Sequence, residues 1–406
     1  MKVNQIKLGF IGLGNRANVL LRNILALMGD VDVVAGCDNY ADRVQDFCAL
    51  VKEKRGVEPK GYASYQELLA DENVNTVIIS ASWEAHIPLA IASMRAGKIT
   101  GLEVGGAYAI NDCWELVKAY RETKTPFMFL ENCCYGKNEL LTTNLVRKGI
   151  FGEVVYCHGA YCHDLRPQIA EGAAKRHYRL RNYLSRNCEN YPTHELGPIA
   201  KILNINRGNR MVTLTSVASK ARGMHEYLKG KGEPKELLDK NFMQGDVVHS
   251  LITCADGSVI SIKLDTTLPH FYSREFTVCG TKGTYKEDGD VIYIDGTSGH
   301  GYCNEHYENA KELHEQYLPK EWKTLTKEEI EAGHNGMDTL TLKAFFECAK
   351  TGAEMPIDVY DAASWMAITC LSEASIKNNG APVEIPDFTS GEWVLRDPKD
   401  VVDFAE

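Results

Sequence analysis

Gly12 and Gly14 are followed by Asn15, Arg16 and Ala17 and preceded by an apolar run, Ile6 to Ile11. A second apolar run, Val31 to Ala35, leads to Cys37 and Asp38. Glycines at this spacing let a pyrophosphate meet backbone N–H groups and a helix N-terminus with no side chain in the way. An acidic residue at this distance downstream accepts hydrogen bonds from ribose hydroxyls, which favours NAD and repels the extra phosphate of NADP. Gly12, Gly14, Asn15, Arg16 and Asp38 are therefore expected to contact a dinucleotide. Other residues could move protons. His194 follows Pro192 and Thr193 and precedes an apolar helix, so it stands near a helix N-terminus, where the dipole favours a neutral imidazole base. Tyr161 leads to His163 and Asp164, and Tyr191 stands three residues before His194. A phenol becomes a base only when its ordinary pKa of about 10 is lowered.

Metal chemistry finds little support. No C-x-x-C occurs, and Cys133 and Cys134 are adjacent. Cys157, His158, Cys162 and His163 crowd one stretch that alternates like a strand, which would send neighbours to opposite faces. No metal is expected.

The elements that must position these groups fall into two textures. Through about residue 125 strands alternate with helices: Tyr65 to Ala70, Ile87 to Ala96 and Asn111 to Thr123 read as helices, and Thr76 to Ser80 as a buried strand. This is the pattern of a doubly wound parallel sheet. The strand Phe127 to Leu130 ends on Glu131, at the carboxyl end of such a sheet, where ligands bind. From about residue 153 longer β-rich runs take over: Val154 to Tyr161, Met211 to Ala218, Val247 to Cys254, Val259 to Thr267, Glu275 to Cys279 and Val291 to Ile294. The expected class is α/β: an N-terminal Rossmann domain over residues 1–130, then a substrate-binding α+β domain over residues 131–406 on an open, mainly antiparallel sheet. Lys220 to Lys240 and Gly296 to Trp322 read as solvated loops, and Asp358 to Asn378 as a long amphipathic helix.

A chain of 406 residues fits two domains. Its net charge of −10 argues against a nucleic-acid partner. No apolar run approaches the roughly 20 residues that span a bilayer, so no membrane partner is expected. The 13 cysteines are scattered and odd in number, as in reduced cytosolic proteins. The first strand begins within about six residues, which leaves no room for a leader. A cytoplasmic location is expected.

With Ala96-Gly97-Lys98 followed by Glu103, the chain resembles the glucose–fructose oxidoreductase and inositol dehydrogenase superfamily. Members usually carry Glu-Lys-Pro there, with a lysine that helps deprotonate the substrate; this chain has Glu103-Val104-Gly105. Valine carries no proton, which points away from ordinary sugar dehydrogenation. Longer strings narrow the match: Leu130-Glu131-Asn132-Cys133-Cys134-Tyr135-Gly136, Gly159-Ala160-Tyr161-Cys162-His163-Asp164-Leu165-Arg166, Tyr191-Pro192-Thr193-His194, Asn204-Ile205-Asn206-Arg207-Gly208, Gly333-His334-Asn335-Gly336-Met337-Asp338 and Asp358-Val359-Tyr360-Asp361-Ala362-Ala363. In this order they resemble glycoside hydrolase family 109, the NAD-dependent α-N-acetylgalactosaminidases, from about residue 6 to residue 389. Glu195 departs from the glycine common in the family after the histidine, and the secretion leader common there is absent.

The resemblance implies a glycosidase that needs no carboxylate pair. Transient oxidation at carbon 3 of the sugar is followed by elimination across carbons 1 and 2, water addition and re-reduction. It makes His194 the base for the carbon-3 hydroxyl and Tyr161, with Tyr191 as its rival, the base at carbon 2. Glu131, Arg179 and Tyr272 match sugar-binding positions, and His86 and Glu103 line the nicotinamide side. The partner is then a small molecule or glycan, and the assembly a homo-oligomer. The alternatives are an NAD-dependent sugar or cyclitol dehydrogenase and a protein that holds NAD without turnover. Asn190, where many dehydrogenases of the superfamily carry aspartate, weighs against the first. The grouping of Glu131, Tyr161, Tyr191 and His194 weighs against the second.

Overall fold

The computed structural model describes residues 1–232, 234–298 and 308–404. The chain forms two compact units. The first takes Met1–Val104, Asn111–Tyr135 and Glu321–Ala363; the second takes Gly105–Ile110, Gly136–Lys320 and Ser364–Glu406.

Six strands build the sheet of the first unit: β1 (Ile6–Ile11), β2 (Val31–Cys37), β3 (Lys60–Tyr62), β4 (Thr76–Ile79), β5 (Ile99–Leu102) and β6 (Phe127–Phe129). All are parallel, in the order β3-β2-β1-β4-β5-β6. β4 and β6 are buried throughout, as unbroken apolar runs must be when helices cover both faces. The order reverses between β1 and β4, the switch point where such sheets take ligands. The chain leaves β1 at Gly12 and β4 at Ser80.

The second unit carries nine strands: β7 (Val154–Cys162), β8 (Met211–Ala218), β9 (Val247–Cys254), β10 (Val259–Asp265), β11 (Thr277–Gly280), β12 (Gly283–Lys286), β13 (Val291–Ile294), β14 (Glu308–Asn309) and β15 (Val383–Glu384). Their order is β14-β13-β12-β11-β7-β10-β9-β8-β15, and every pair is antiparallel except β7 with β10. One face is apolar and buried: Val248, Ile252, Ile260, Ile262, Leu264 and Cys157 lie at 0–1% exposure. The other presents Leu251, His249, Val217 and Tyr156 to solvent. This is the period-2 split of a sheet covered on one side.

Three expectations need correction. Residues 220–240 hold a helix, Gly223–Lys231, rather than a loop. Met224 and Leu228 sit one turn apart on its buried side, while Asp246 accepts from the backbone N–H groups of Arg222 and Gly223 at 2.7 and 2.9 Å. Apolar residues at i and i+4 were masked by the surrounding lysines. Within 296–322, residues 299–307 lie outside the described residues, but Lys311–Tyr317 is a helix with His314 buried against Asp290 at 3.1 Å. The helix expected over 358–378 runs Val359–Lys377 and is not amphipathic. Trp365, Met366, Ala367, Ile368, Ser372 and Ser375 are all fully buried. Its small hydroxyl residues bond to backbone inside the protein, as Ser375 does with Ala381 O at 2.8 Å, so its polar positions mark no wet face.

Candidate active site

The glycine pair of the first unit divides into two tasks. Gly12 takes φ +87°, and a Cβ there would stand 2.7 Å from the Ala81 backbone, so the fold itself demands glycine. Gly14 has an ordinary φ of −74°, and the nearest atom to a Cβ would be Arg43 Nη1 at 3.8 Å. It keeps space open. The helix that follows, Asn15–Leu27, has no side-chain cap and no acidic residue in its first turn. Its first N–H groups therefore suit an anion. Asp38 closes the cradle: Oδ2 accepts from Leu13 N at 2.8 Å and Oδ1 from Tyr40 N at 3.0 Å, and Arg43 stands 3.6 Å away. An open glycine, an uncapped helix and a carboxylate at the end of β2 fit a dinucleotide. Asn15 and Arg16 open that helix.

The Arg16 side chain is engaged elsewhere. Nη1 and Nη2 donate to Asp338 at 2.7 and 2.9 Å, and Nη2 stands 3.0 Å from Glu103. Burial disfavours the Arg16 charge, yet Glu103 and Asp338 hold its pKa well above the ordinary value. Asp338, fully buried, also accepts from Asn132 Nδ2 at 2.8 Å and His334 Nδ1 at 2.7 Å. His86 is buried, and Nε2 donates to Ala81 O at 3.0 Å. Burial pushes its pKa down to about 4. It braces the turn against which Gly12 packs. Glu131 follows β6, fully buried, and Oε1 accepts from Cys133 N at 3.0 Å. Val104, in the place of the superfamily lysine, is also buried.

The second unit gathers Tyr161, Tyr191, His194, Arg179 and Tyr272. Alternation along β7 turns Cys157, Gly159 and Tyr161 to the covered face of the sheet, where the helix Thr193–Ile202 lies. Gly159 permits that approach, since a Cβ there would stand 2.8 Å from Glu195 O. The Tyr161 ring lies 4.9 Å from Tyr191 and 5.6 Å from His194, and Tyr191 lies 4.7 Å from His194. Tyr272, half exposed, reaches the cluster at 6.3 Å from Tyr161. The buried Arg179 guanidinium stands 5.0 Å from the Tyr191 ring. Burial works against its charge, but Tyr178, Tyr161, Tyr191 and Tyr183 keep its pKa above the usual value. For Tyr183 burial outweighs the opposing pull of Arg179 and raises the phenol to about 12.

Sequence reasoning had not given a role to His163. His163 follows the end of β7 and still bonds Asp265 O through its backbone at 2.9 Å, and two residues from Tyr161 it meets that ring: Tyr161 donates to its Nδ1 at 3.0 Å. Burial, then Arg179, lowers the His163 pKa, so the ring accepts as neutral imidazole. Also missed was a carboxyl pair bracketing the Tyr191–His194 turn. Glu189 and Glu195 are both fully buried. Burial raises Glu189 to about 8. Their signal was two acids flanking one turn. Asn190 donates to Gln244, which also bonds Cys188 N and O at 3.2 and 3.0 Å. The residue therefore braces the turn.

On the outer sheet face, Cys162, His270 and Glu275 bring ligand-type atoms within 4.8 Å of one another. The Glu275 carboxylate already faces the Lys263 ammonium and His158 at 3.0 Å, and that pairing holds its pKa down to about 2. Among the described residues no helix is long and apolar enough to cross a membrane.

Taken with its cradle, the first unit is an NAD-binding Rossmann fold of the oxidoreductase family, whose model matches residues 6–130. The C-terminal domain model of glycosyl hydrolase 109 matches residues 135–395, and the chain belongs to that glycoside hydrolase family. It is 36% identical to an alpha-N-acetylgalactosaminidase of Tannerella forsythia, over 97% of this chain and 88% of that one. It is also 36% identical to an alpha-N-acetylgalactosaminidase of Shewanella oneidensis, over 99% of this chain and 89% of the other. Among solved structures, an NAD binding oxidoreductase from Klebsiella pneumoniae superposes with a TM-score of 0.71, at 15% identity, over 95% of this chain and 100% of that one. At that identity the likeness speaks for the fold alone.

Proposed function

We propose that this glycosidase releases terminal N-acetylgalactosamine from α-linked glycosides without net oxidation. The first unit holds the dinucleotide, and the second supplies the proton-handling groups. The observation that carries the reading is the Tyr161–Tyr191–His194 cluster beside the buried Arg179, a proton-handling site made of phenols and imidazoles. The names of relatives more than a third identical over nearly the whole chain support the substrate.

When bound, NAD supplies reversible oxidation of the sugar at carbon 3. His194, half-buried at the start of its helix, takes the carbon-3 hydroxyl proton. The resulting ketone acidifies the hydrogen on carbon 2. Tyr161 removes that hydrogen, its own proton passing to His163 Nδ1. Tyr191 packs between Tyr161 and His194 and is the second candidate for that base. Elimination then expels the aglycone, water adds at carbon 1, and the proton steps reverse. Glu131, Arg179 and Tyr272 hold the sugar, and Gly12, Gly14, Asn15, Arg16, Asp38, His86 and Glu103 shape the cofactor site.

A cytoplasmic location and a homo-oligomeric assembly complete the reading. The described cysteines are free thiols, and the solvent face of the second sheet carries exposed Leu251 and Val217.

The test is hydrolysis of a chromogenic α-N-acetylgalactosaminide in deuterated water. The expected result is sugar carrying deuterium at carbon 2, with no accumulation of NADH. Full retention of the carbon-2 hydrogen would contradict the mechanism. One equivalent of NADH per keto sugar would make the protein a sugar dehydrogenase.

A further inference from the structure

The motif Gly333 to Asp338 has no part in the proton chemistry, yet its backbone is the most constrained stretch of the first unit. His334, Asn335 and Gly336 take φ of +41°, +53° and +93° in succession. Non-glycine residues rarely enter that region, and two in a row persist only where the surroundings impose them. The surroundings here are those of Asp338. A Cβ at Gly333 would stand 2.6 Å from Asp338 Oδ2, so glycine lets the turn close over the carboxylate. Asp338 in turn stands in the first turn of the helix Met337–Thr351. A second bond ties that helix to the fingerprint helix: Asn23 Nδ2 donates to Thr339 Oγ1 at 2.9 Å.

The hydrogen bonds fix the His334 ring. Nδ1 lies 2.7 Å from Asp338 Oδ2 and 3.2 Å from Arg16 Nη1. Arg16 offers only donors, so Nδ1 carries its proton toward Asp338 and merely packs against the guanidinium. Nε2 therefore points away from the carboxylate, on a side chain that is 51% exposed. The ring lies against the second residue of the helix that opens the cradle. Charge adds to the case. Arg16 faces both Glu103 and Asp338, two carboxylates to one guanidinium. Its charge is thus already matched, and the Arg16 side chain is held in the frame.

We infer that His334 is a further dinucleotide-binding residue: Asp338 holds the Nδ1 proton, so that the bare Nε2 accepts a hydrogen bond from a ribose hydroxyl of the bound dinucleotide, while Arg16 acts as the clamp between Glu103 and Asp338. The inference rests on the reading of the first unit as the cofactor site.

Two substitutions separate holding the turn from meeting the ligand. His334→Asn keeps an amide nitrogen near Nδ1 and loses Nε2; His334→Gln keeps a group near Nε2 and loses the tie to Asp338. Nucleotide-stripped wild type and both variants are titrated with NAD and with ADP-ribose by calorimetry, and the melting temperature of each without ligand is recorded. His334→Asn is expected to weaken both ligands about tenfold, the size of one lost hydrogen bond, with unliganded melting unchanged. His334→Asn binding like wild type would overturn the inference, as would a loss confined to His334→Gln, which would leave His334 only a brace. A wild type that binds neither ligand would instead sink the cofactor reading itself.

Discussion

In the first unit the charged groups answer one another. Arg16 meets Glu103 and Asp338, and Asp338 receives four hydrogen bonds. In the second unit the reactive groups are phenols and imidazoles around one buried guanidinium, and Tyr161 donates to a neutral His163. The first arrangement resists any change of protonation, because each charge has its opposite in contact. The second sits close to changing. A fixed frame suits a cofactor that is regenerated within each turnover, and titratable groups suit a substrate that gains and loses protons at successive carbons. The division of labour follows from the kind of charge each unit buries.

The sharpest way to break this comparison is His194→Ala. Oxidation at carbon 3 precedes every other step, so the variant is expected to lose both transient reduction of the bound dinucleotide and hydrolysis, by about a thousandfold. It should still bind NAD as wild type does, because the frame of the first unit is untouched. Rapid-scan absorbance of NADH beside a chromogenic assay reads both. Hydrolysis persisting within a few-fold of wild type would remove His194 from the mechanism.

Tyr161→Phe tests the order of steps inside the second unit. It is expected to give a transient NADH signal and then stall before aglycone release, with turnover reduced by about a hundredfold or more. If the signal itself vanishes, Tyr161 acts at carbon 3. If turnover survives, Tyr191→Phe is the variant expected to stall instead, since its ring stands 4.9 Å from Tyr161.

These contrasts were unevenly legible in the sequence. Parallel strands covered on both faces are short and mainly apolar, so β4 and β6 stood out, as did β1 and β2 despite Lys7 and Asp32, and glycine spacing marked the cradle. His194 was named from its place at a helix start, whereas Tyr161 and Tyr191 owed their roles to the family resemblance. Asp338 and His334 were visible only as a string of letters, because Arg16 and Asp338 are 322 positions apart and no local pattern announces their meeting. His163 was within reach of the strand rule, which puts it two residues beyond Tyr161 on the same face, but in the sequence it was weighed only as a metal ligand. The helix Val359–Lys377 misled because its serines and threonines bond inside the protein.

The smallest effect expected concerns the Glu189–Glu195 pair and reaches stability rather than turnover. Glu189 is fully buried beside Glu195, Tyr183 and Cys188, none of them a cation, and burial raises its pKa to about 8. In the unfolded chain a glutamate titrates near about 4.3. Between those two values the native state holds a proton that the unfolded state has released. The native state therefore binds more protons, and the free energy of unfolding falls as pH rises through that window. Below about pH 4 both states are protonated and the effect vanishes; above about 8 the loss is complete. Glu189→Gln keeps the size of the side chain and has no proton to lose. Melting curves from pH 5 to pH 9 should show a wild-type midpoint that drops by a few degrees more than that of the variant, with the two converging at the acid end. Parallel curves would mean that Glu189 holds no proton across this window. The second unit would then keep its acid–base groups in the phenols and imidazoles alone.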